Sequence, residues 1–442
     1  MKKRNQKKKS AQNNDSYLST TDRIKPNTQA EFLALRHITA SARAVYNMGL
    51  YTCRQHYFAN GTFLGYLGIY NHVKAEYPDY KTLHSQVAQQ SLRKVHQDMK
   101  SFFANQKEAK NSGRKVRLPK YKKGYTTAFH SKDCFKVIGS QIRISLSQAC
   151  KRASGLDFLY LQLPPHLQDK KIKEVQIKPH NNGSWFQVCF NYISDTQWQQ
   201  VSTKDKRLRA IVLDIGVNNL IAMIDTVTDQ PIIISGKELK SKNRWCNKIT
   251  AQLKSELKKA HNCTQSHRLN NVWRRRSQQI HARFHKIAHS IIEYCLTHDI
   301  NEIYIGKNKF WKKEVNLGKK NNQNFVQIPH TLLIHYISYR AQRHGIVVYE
   351  QEESYTSKCD ALALEEIKKH PNYLGRRVKR GLFRSSIGKE INADINGAIN
   401  ILRKSKGDLA DPWVRRLAHS GRVFRPRKLH FEGFGSLVLT EG

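Results

Sequence analysis

Residues 210–224 read AIVLDIGVNNLIAMI: an apolar strand holding one carboxylate, Asp214, then a turn at Gly216, then a second apolar strand. Residues 231–235 follow Thr228, Asp229 and Gln230 and add a third strand as a hairpin partner. Toward the C-terminus a helical stretch from about 248 to 298 puts Ile280, Phe284, Ile287, Ile291 and Cys295 on one stripe. A strand at 302–306, a helix after Pro329, a strand at 346–350 and a helix starting near Ala393 complete the series. Strands alternating with helices after an antiparallel start predict an α/β layer fold with a mixed sheet.

Toward the N-terminus the texture differs. Leu35, Ile38, Ala42, Val45 and Gly49 recur at three- and four-residue steps, as do Ala88, Leu92, Val95, Met99 and Phe102, which predicts two amphipathic helices. Between about 114 and 192 short alternating runs separated by Gly, Asn and Ser predict a β-rich module. Within it Lys120, Tyr121, Lys122, Lys123 and Tyr125 interleave cations with rings, a pattern suited to holding phosphates and stacking bases, or to a solvated strand edge. Residues 1–15 are too polar to bury anything and read as a flexible basic arm or a solubilising tail.

The chain of 442 residues carries 77 Lys plus Arg against 34 Asp plus Glu, a net charge of 77 − 34 = +43. A hydrophobic fraction of 39% is enough for real cores and excludes a disordered tail. Charge of this size calls for a polyanion, nucleic acid or an anionic membrane. No apolar run approaches the roughly 18 residues of a spanning helix, so no membrane partner is expected. The first ten residues, MKKRNQKKKS, have no apolar stretch behind them, and the eight cysteines lack paired spacings. Both features suit a reduced cytoplasm rather than secretion.

A carboxylate inside an apolar strand is costly unless its charge is used, by a metal ion or by capping a turn, and Asp214 is the clearest case. Asp394 stands in the first turn of the last helix, where it could serve a metal or cap the helix. Asn396 and Asn400 lie four apart on one face of that helix. Trp273, Arg274, Arg275 and Arg276 precede the apolar stripe of the long helical stretch and offer a positive surface for a nucleic-acid backbone. A strand Asp, a later carboxylate and a helix-borne Asp in a strongly basic chain describe an RNase H-like nuclease centre. There carboxylates hold two Mg²⁺ about 3.5–4 Å apart, one activating water and one stabilising the leaving oxygen.

VLDIGVNNL (212–220), WRRR (273–276) and NADINGAINILR (392–403) resemble the split RuvC nuclease of the TnpB family, related to type V CRISPR effectors and Fanzor. ARAVYNMGL (42–50) and RLPKYKKG (117–124) resemble that family's N-terminal helix and its PkyK strand. The resemblance spans about residues 18 to 404. It implies a transposon-encoded RNA-guided endonuclease, with a guide RNA from the transposon end and double-stranded target DNA as partners. It also implies two Mg²⁺ ions, or Mn²⁺ in their place, and a prokaryotic cytoplasm at the nucleoid. The implied architecture is a RuvC-like domain at 206–404, with a basic helical segment at about 246–300, a degenerate zinc-ribbon region at about 359–390 and a C-terminal tail at 405–442. A β-barrel wedge domain at 16–205 precedes it, with a helical recognition module inserted at about 28–110. The oligomeric state is left open.

Two departures from the family pattern matter. The family's middle carboxylate ends a strand, but Gly306 stands at that place here. Glu352 and Glu353 precede Ser354-Tyr355-Thr356-Ser357-Lys358, a motif of the next strand. Relatives that moved the carboxylate there imply Glu353 as the third ligand beside Asp214 and Asp394, with Glu352 in reserve. The alternative is a solvated acidic cluster of Glu350, Glu352 and Glu353, which would leave a nuclease-inactive RNA-guided DNA-binding regulator. A guide-free basic binder is a third reading. The second departure concerns zinc: Leu362 replaces the partner of Cys359, and no cysteine follows, so a zinc ribbon is not expected. Arg376, Arg377 and Arg380 in the replacement segment are candidates for charge contacts with nucleic acid.

Overall fold

Thr28 starts the first long helix by accepting a hydrogen bond from the Glu31 N–H, and Gly61, at a φ of 63°, ends it. The structure, a computed structural model, describes residues 17–110, 116–193, 208–307, 328–379, 381–432 and 436–440. The basic arm at 1–15 lies outside them. The chain divides into two compact units, 1–197 and 198–442.

The first unit runs β1 (Tyr17–Ile24), α1 (Gln29–Asn60), α2 (Tyr66–Glu76), α3 (Ser85–Lys110), β2 (Ala128–Ser131), β3 (Phe135–Ile138), β4 (Gln141–Ser145), α4 (Gln148–Ser154), β5 (Phe158–Gln162), β6 (Ile172–His180) and β7 (Trp185–Ile193). The two apolar stripes read from the sequence are buried in α1 and α3. The short α2 was not foreseen, because it buries only Ile69 and Val73 and so shows no stripe. In place of the expected barrel, the described strands form two separate sheets, ordered β1-β7-β6-β2 and β3-β4-β5. The expected PkyK strand is also corrected: residues 116–127 are irregular and run along α1. Asn47 fixes them there, its side chain accepting from the Lys122 N–H at 2.8 Å and donating to the Lys122 carbonyl at 3.0 Å.

The second unit runs β8 (Ala210–Ile215), β9 (Asn219–Asp225), β10 (Ile232–Ser235), α5 (Lys237–His261), α6 (His267–Thr297), β11 (Glu302–Gly306), α7 (His330–Arg343), β12 (Val347–Gln351), β13 (Arg376–Lys379), β14 (Leu382–Arg384), β15 (Glu390–Asn392), α8 (Ala393–Lys406), α9 (Asp411–His419), β16 (Arg427–Glu432) and β17 (Ser436–Thr440). Its mixed sheet is ordered β12-β11-β8-β9-β10-β16-β17. β8 pairs parallel with β11 and antiparallel with β9, as the hairpin reading required. The two-residue period of a strand sorts side chains by face. Ile211, Leu213, Ile303 and Ile305 share one core with Phe284, Ile287 and Ile337 of α6 and α7. Ala210, Val212 and Tyr304 share the other with Ile395, Ala398, Ile399 and Leu402 of α8. Asp214 and Gly306 therefore fall in step with the α8 face.

Two further expectations are corrected. The single helical stretch at 248–298 is two helices: Asn262 takes the left-handed conformation at φ 48°, and Ser266 caps α6 by accepting from the Leu269 N–H. The expected tail at 405–442 carries α9 and two strands of the sheet, β16 pairing parallel with β10. Asp229 anchors it, accepting from Trp413 Nε1 at 2.9 Å and Arg416 Nε at 2.8 Å. The segment read as a degenerate ribbon forms the small sheet β13-β14-β15. Buried Asp360 accepts there from Ser385 Oγ at 2.8 Å and the Ser386 N–H at 2.7 Å, and buried Glu365 accepts from the Asp360 and Leu374 N–H groups. All eight cysteines are free, only Cys263 being exposed. Among the described residues no helix is long and apolar enough to cross a membrane.

Candidate active site

Asp214 lies one residue from the end of β8, on the face that α8 crosses. The crossing is close because α8 has a glycine there: a Cβ on Gly397 would stand 2.8 Å from Asp214 Oδ2. Asn392, not Asp394, caps α8, its side chain accepting from the Asp394 N–H at 2.9 Å. The Asp394 carboxylate is thereby left for other work. It accepts from Asn219 Nδ2 at 2.7 Å and meets the Arg377 guanidinium at 3.7 Å.

Glu353 stands against Gly306. A Cβ on Gly306 would overlap Glu353 Oε1, with Glu353 Cδ at 3.0 Å and Ile401 Cδ1 at 2.6 Å, so the Glu353 carboxylate fills the space a side chain at 306 would take. Glu352 is turned elsewhere: it pairs with Lys404 and accepts from the Ser354 N–H at 2.8 Å, contacts that hold its carboxyl below the usual range. The position of Glu353 is set from α8. Asn400 Nδ2 donates to the Thr356 carbonyl at 2.9 Å and the Cys359 carbonyl at 2.7 Å, and Asn396 Nδ2 donates to the Cys359 carbonyl at 2.9 Å. Thr356 in turn bonds the Glu353 carbonyl through its N–H at 3.2 Å and its hydroxyl at 2.9 Å. One helix thus carries Asp394 and, through two fully buried asparagines, straps down the loop bearing Glu353.

Burial pushes the Asp214 carboxyl well above its ordinary range; Glu353 and then Asp394 push it further, while Arg377 draws it back. Burial, then Glu352, raises Glu353 to about 7. A carboxyl raised by burial and by its acidic neighbours, as Asp214 is, is short of cations, and three hard oxygen donors suit Mg²⁺. The donor chemistry therefore fits a divalent ion. As the side chains stand, no three Asp, Glu, His or Cys among the described residues are grouped tightly enough to hold one, so the fit lies in the donors and not in a closed cage.

The raised Glu353 carries a stability consequence. Its folded form binds a proton more tightly than the unfolded chain does, so its contribution falls as pH rises from about 4.5 to about 7. Without divalent cations, Glu353→Gln is expected to stabilise the protein by about 3 kcal/mol at pH 8 and by nothing at pH 4. Denaturant titrations at the two pH values check it, and a loss of stability at pH 8 would contradict the assigned burial.

The profile of the OrfB_IS605 family, described as probable transposase, matches residues 192–312, and that of the Cas12f1-like TNB domain matches residues 330–401. The two cover in order the segments that bear Asp214, Glu353 and Asp394. TnpB-like protein ORF457 of Acidianus two-tailed virus is 30% identical over 126 residues, 28% of this chain and 24% of that protein. These matches support a TnpB-type family for the chain. The match spans about a quarter of the viral relative's length. Two solved structures share the fold: a Cas12f1–sgRNA–target DNA complex at TM-score 0.54 and 13% identity, covering 85% of this chain and 83% of that one, and the mini-RNA-guided endonuclease CRISPR-Cas_phi3 at TM-score 0.50 and 10% identity, covering 90% and 92%.

The basic candidates behave differently from one another. Lys120, Lys122 and Lys123 are exposed, but the rings between them are partly engaged: the Arg54 guanidinium lies 4.6 Å from the Tyr121 ring and that of Arg36 5.2 Å from Tyr125. The neighbouring cations thus cover ring surface that the sequence alone offered for base stacking. Arg274 leans on Asn271 and Gln278 at 3.3 Å. Arg275 is exposed, and Arg276 donates to Asn243 Oδ1 at 2.7 Å. Arg376 and Arg377 are exposed on β13, and Arg380 lies outside the described residues. The sequence reading missed Asn219, Gly397 and the link from Arg377 to Asp394, none of which leaves a local signal.

Proposed function

We propose that the chain is an RNA-guided, Mg²⁺-dependent DNA endonuclease encoded by a transposable element, cutting double-stranded DNA matched to its guide. The observation that carries this reading is the Glu353 carboxylate over Gly306, on the α8 face that also bears Asp214 and Asp394. The sheet order with β8 between β11 and β9 supports an RNase H-like domain, and the likeness to a Cas12f1–sgRNA–target DNA complex and to an RNA-guided endonuclease supports guide RNA and target DNA as partners.

In this reading Asp214, Glu353 and Asp394 hold the metal, which when bound supplies activation of water and charge stabilisation at the scissile phosphate. Asn219 orients Asp394 by donating to Oδ2 and leaves Oδ1 facing Arg377. Arg377 balances the carboxylates when no ion is present and is placed to meet a phosphate when one is. Asn396 and Asn400 position Glu353 through the loop they hold. Sequence would be read by guide pairing, and the protein would contribute shape and charge.

The test is cleavage of a guide-matched plasmid by protein co-produced with RNA from its own locus, in Mg²⁺ and in EDTA. Cutting in Mg²⁺ alone, lost in Glu353→Gln and kept in Glu352→Gln, is the expected result. Matched binding with no cutting by the wild type would instead make the chain a DNA-binding regulator. Equal binding of matched and scrambled DNA would leave a guide-free binder.

A further inference from the structure

The helices α5 and α6 form a hairpin whose facing sides enclose a cleft of about 920 Å³. Its walls are uneven in charge. Lys242, Arg268, Arg275 and Arg276 line it, against the single carboxylate of Glu238. That carboxylate is already engaged, with Arg283 at 2.6 Å and Lys242 at 3.7 Å. Arg276 is fixed in the wall by Asn243, and its guanidinium lies 5.2 Å from the Trp273 ring. Arg268 and Arg275 have no ion pair with any carboxylate among the described residues. They stand two helical turns apart, a rise of about 10 Å along α6. At the rim of the same cleft Trp245 is 56% exposed, the largest aromatic surface its lining offers.

An exposed indole beside unneutralised guanidiniums is a poor surface for solvent and a good one for a base with its phosphates. A duplex would present phosphates to the arginines but no base face to the indole. An unpaired strand presents both. From these observations we infer that the α5–α6 cleft is a binding site for single-stranded nucleic acid, with a base stacked on Trp245 and the flanking phosphates on Arg268 and Arg275. The inference rests on the nucleic-acid reading above only in its choice of polyanion, and needs neither the guide nor the carboxylate centre.

The test uses the full chain and a fluorescein-labelled 12-nucleotide single-stranded DNA, with the same sequence as a duplex for comparison. Trp245→Ala is expected to weaken single-strand binding about tenfold, Trp245→Phe to restore most of it, and duplex binding to stay within about twofold. Arg275→Gln should lower the slope of log affinity against log salt by about 0.7, the share of one phosphate contact on a single strand. Because a chain of +43 binds such strands elsewhere too, the same oligonucleotide carrying 5-bromodeoxyuridine is photocrosslinked to the wild type, and the adduct should map to Trp245. Adducts elsewhere, unchanged affinity in Trp245→Ala, or an equal loss on duplex would each overturn the inference. A chain that cuts matched DNA normally but fails these tests loses only this site. One that passes them without cutting loses only the endonuclease reading.

Discussion

Asp214→Asn is expected to abolish cutting of guide-matched DNA, by about a thousandfold or more, while guide-RNA binding stays within about twofold of wild type. The size follows from what the residue is: a carboxylate at the end of a buried strand, facing α8, with Glu353 and Asp394 near enough to raise its proton affinity. Removing it deletes a hard oxygen donor from a site that has few. The fold should not suffer. Burial and two like charges disfavour the ionised Asp214, so a neutral amide of the same shape relieves repulsion, and the thermal midpoint without divalent cations should rise or hold. Cutting and RNA binding lost together would mean that Asp214 supports the structure rather than the chemistry. Full cutting by Asp214→Asn would remove the proposed centre altogether.

How far the sequence told this story differs from element to element. β8, β9, β10, β11 and α8 were legible because each carries an apolar run or stripe, and β12 because Ile346, Val347 and Val348 follow the turn at Gly345. The break between α5 and α6 was not, because it has no Gly or Pro: Asn262 takes the left-handed conformation there, and the turns on either side of it, KSELKKAH before and CTQSHRLNN after, are mostly polar. The strands after residue 405 were hidden for a different reason. What holds them is long-range, a parallel ladder to β10 and the Asp229 anchor, and no local pattern announces either. At the site, Asp214 stood out as an acid where an acid is costly, and Asp394 as an acid in the first turn of a helix, open to a metal or a capping role. Glu353 was reached only through the resemblance to relatives that carry the carboxylate on the neighbouring strand, about 4.8 Å away. Gly397, Asn219 and Arg377 act through close approaches between elements far apart in the chain. The arginines beside the tyrosines at 121 and 125 were hidden for the same reason, since they come from α1.

Moving the third carboxylate gives the second large effect. Gly306→Ala is expected to cut activity about a hundredfold and to cost about 1–3 kcal/mol of stability, because the added methyl meets Glu353 on one side and buried Ile401 of α8 on the other. Either Glu353 is pushed out or α8 shifts, and α8 carries Asp394, so both responses disturb a ligand. Glu353→Gln should lose cutting without that stability cost, which separates the missing charge from the steric conflict. The decisive variant exchanges the two positions. Gly306 pairs with Gln351 across the β11–β12 ladder, two residues before Glu353, so a side chain grown from 306 occupies the volume that Glu353 now fills. The double variant Gly306→Glu with Glu353→Gly should therefore cut at least about tenfold faster than Glu353→Gly alone, because the carboxylate is returned to the same ion from the adjacent strand. If the double variant is no better than the single one while both remain folded and bind RNA, the space over Gly306 is not the metal site, and the role given to Glu353 fails with it.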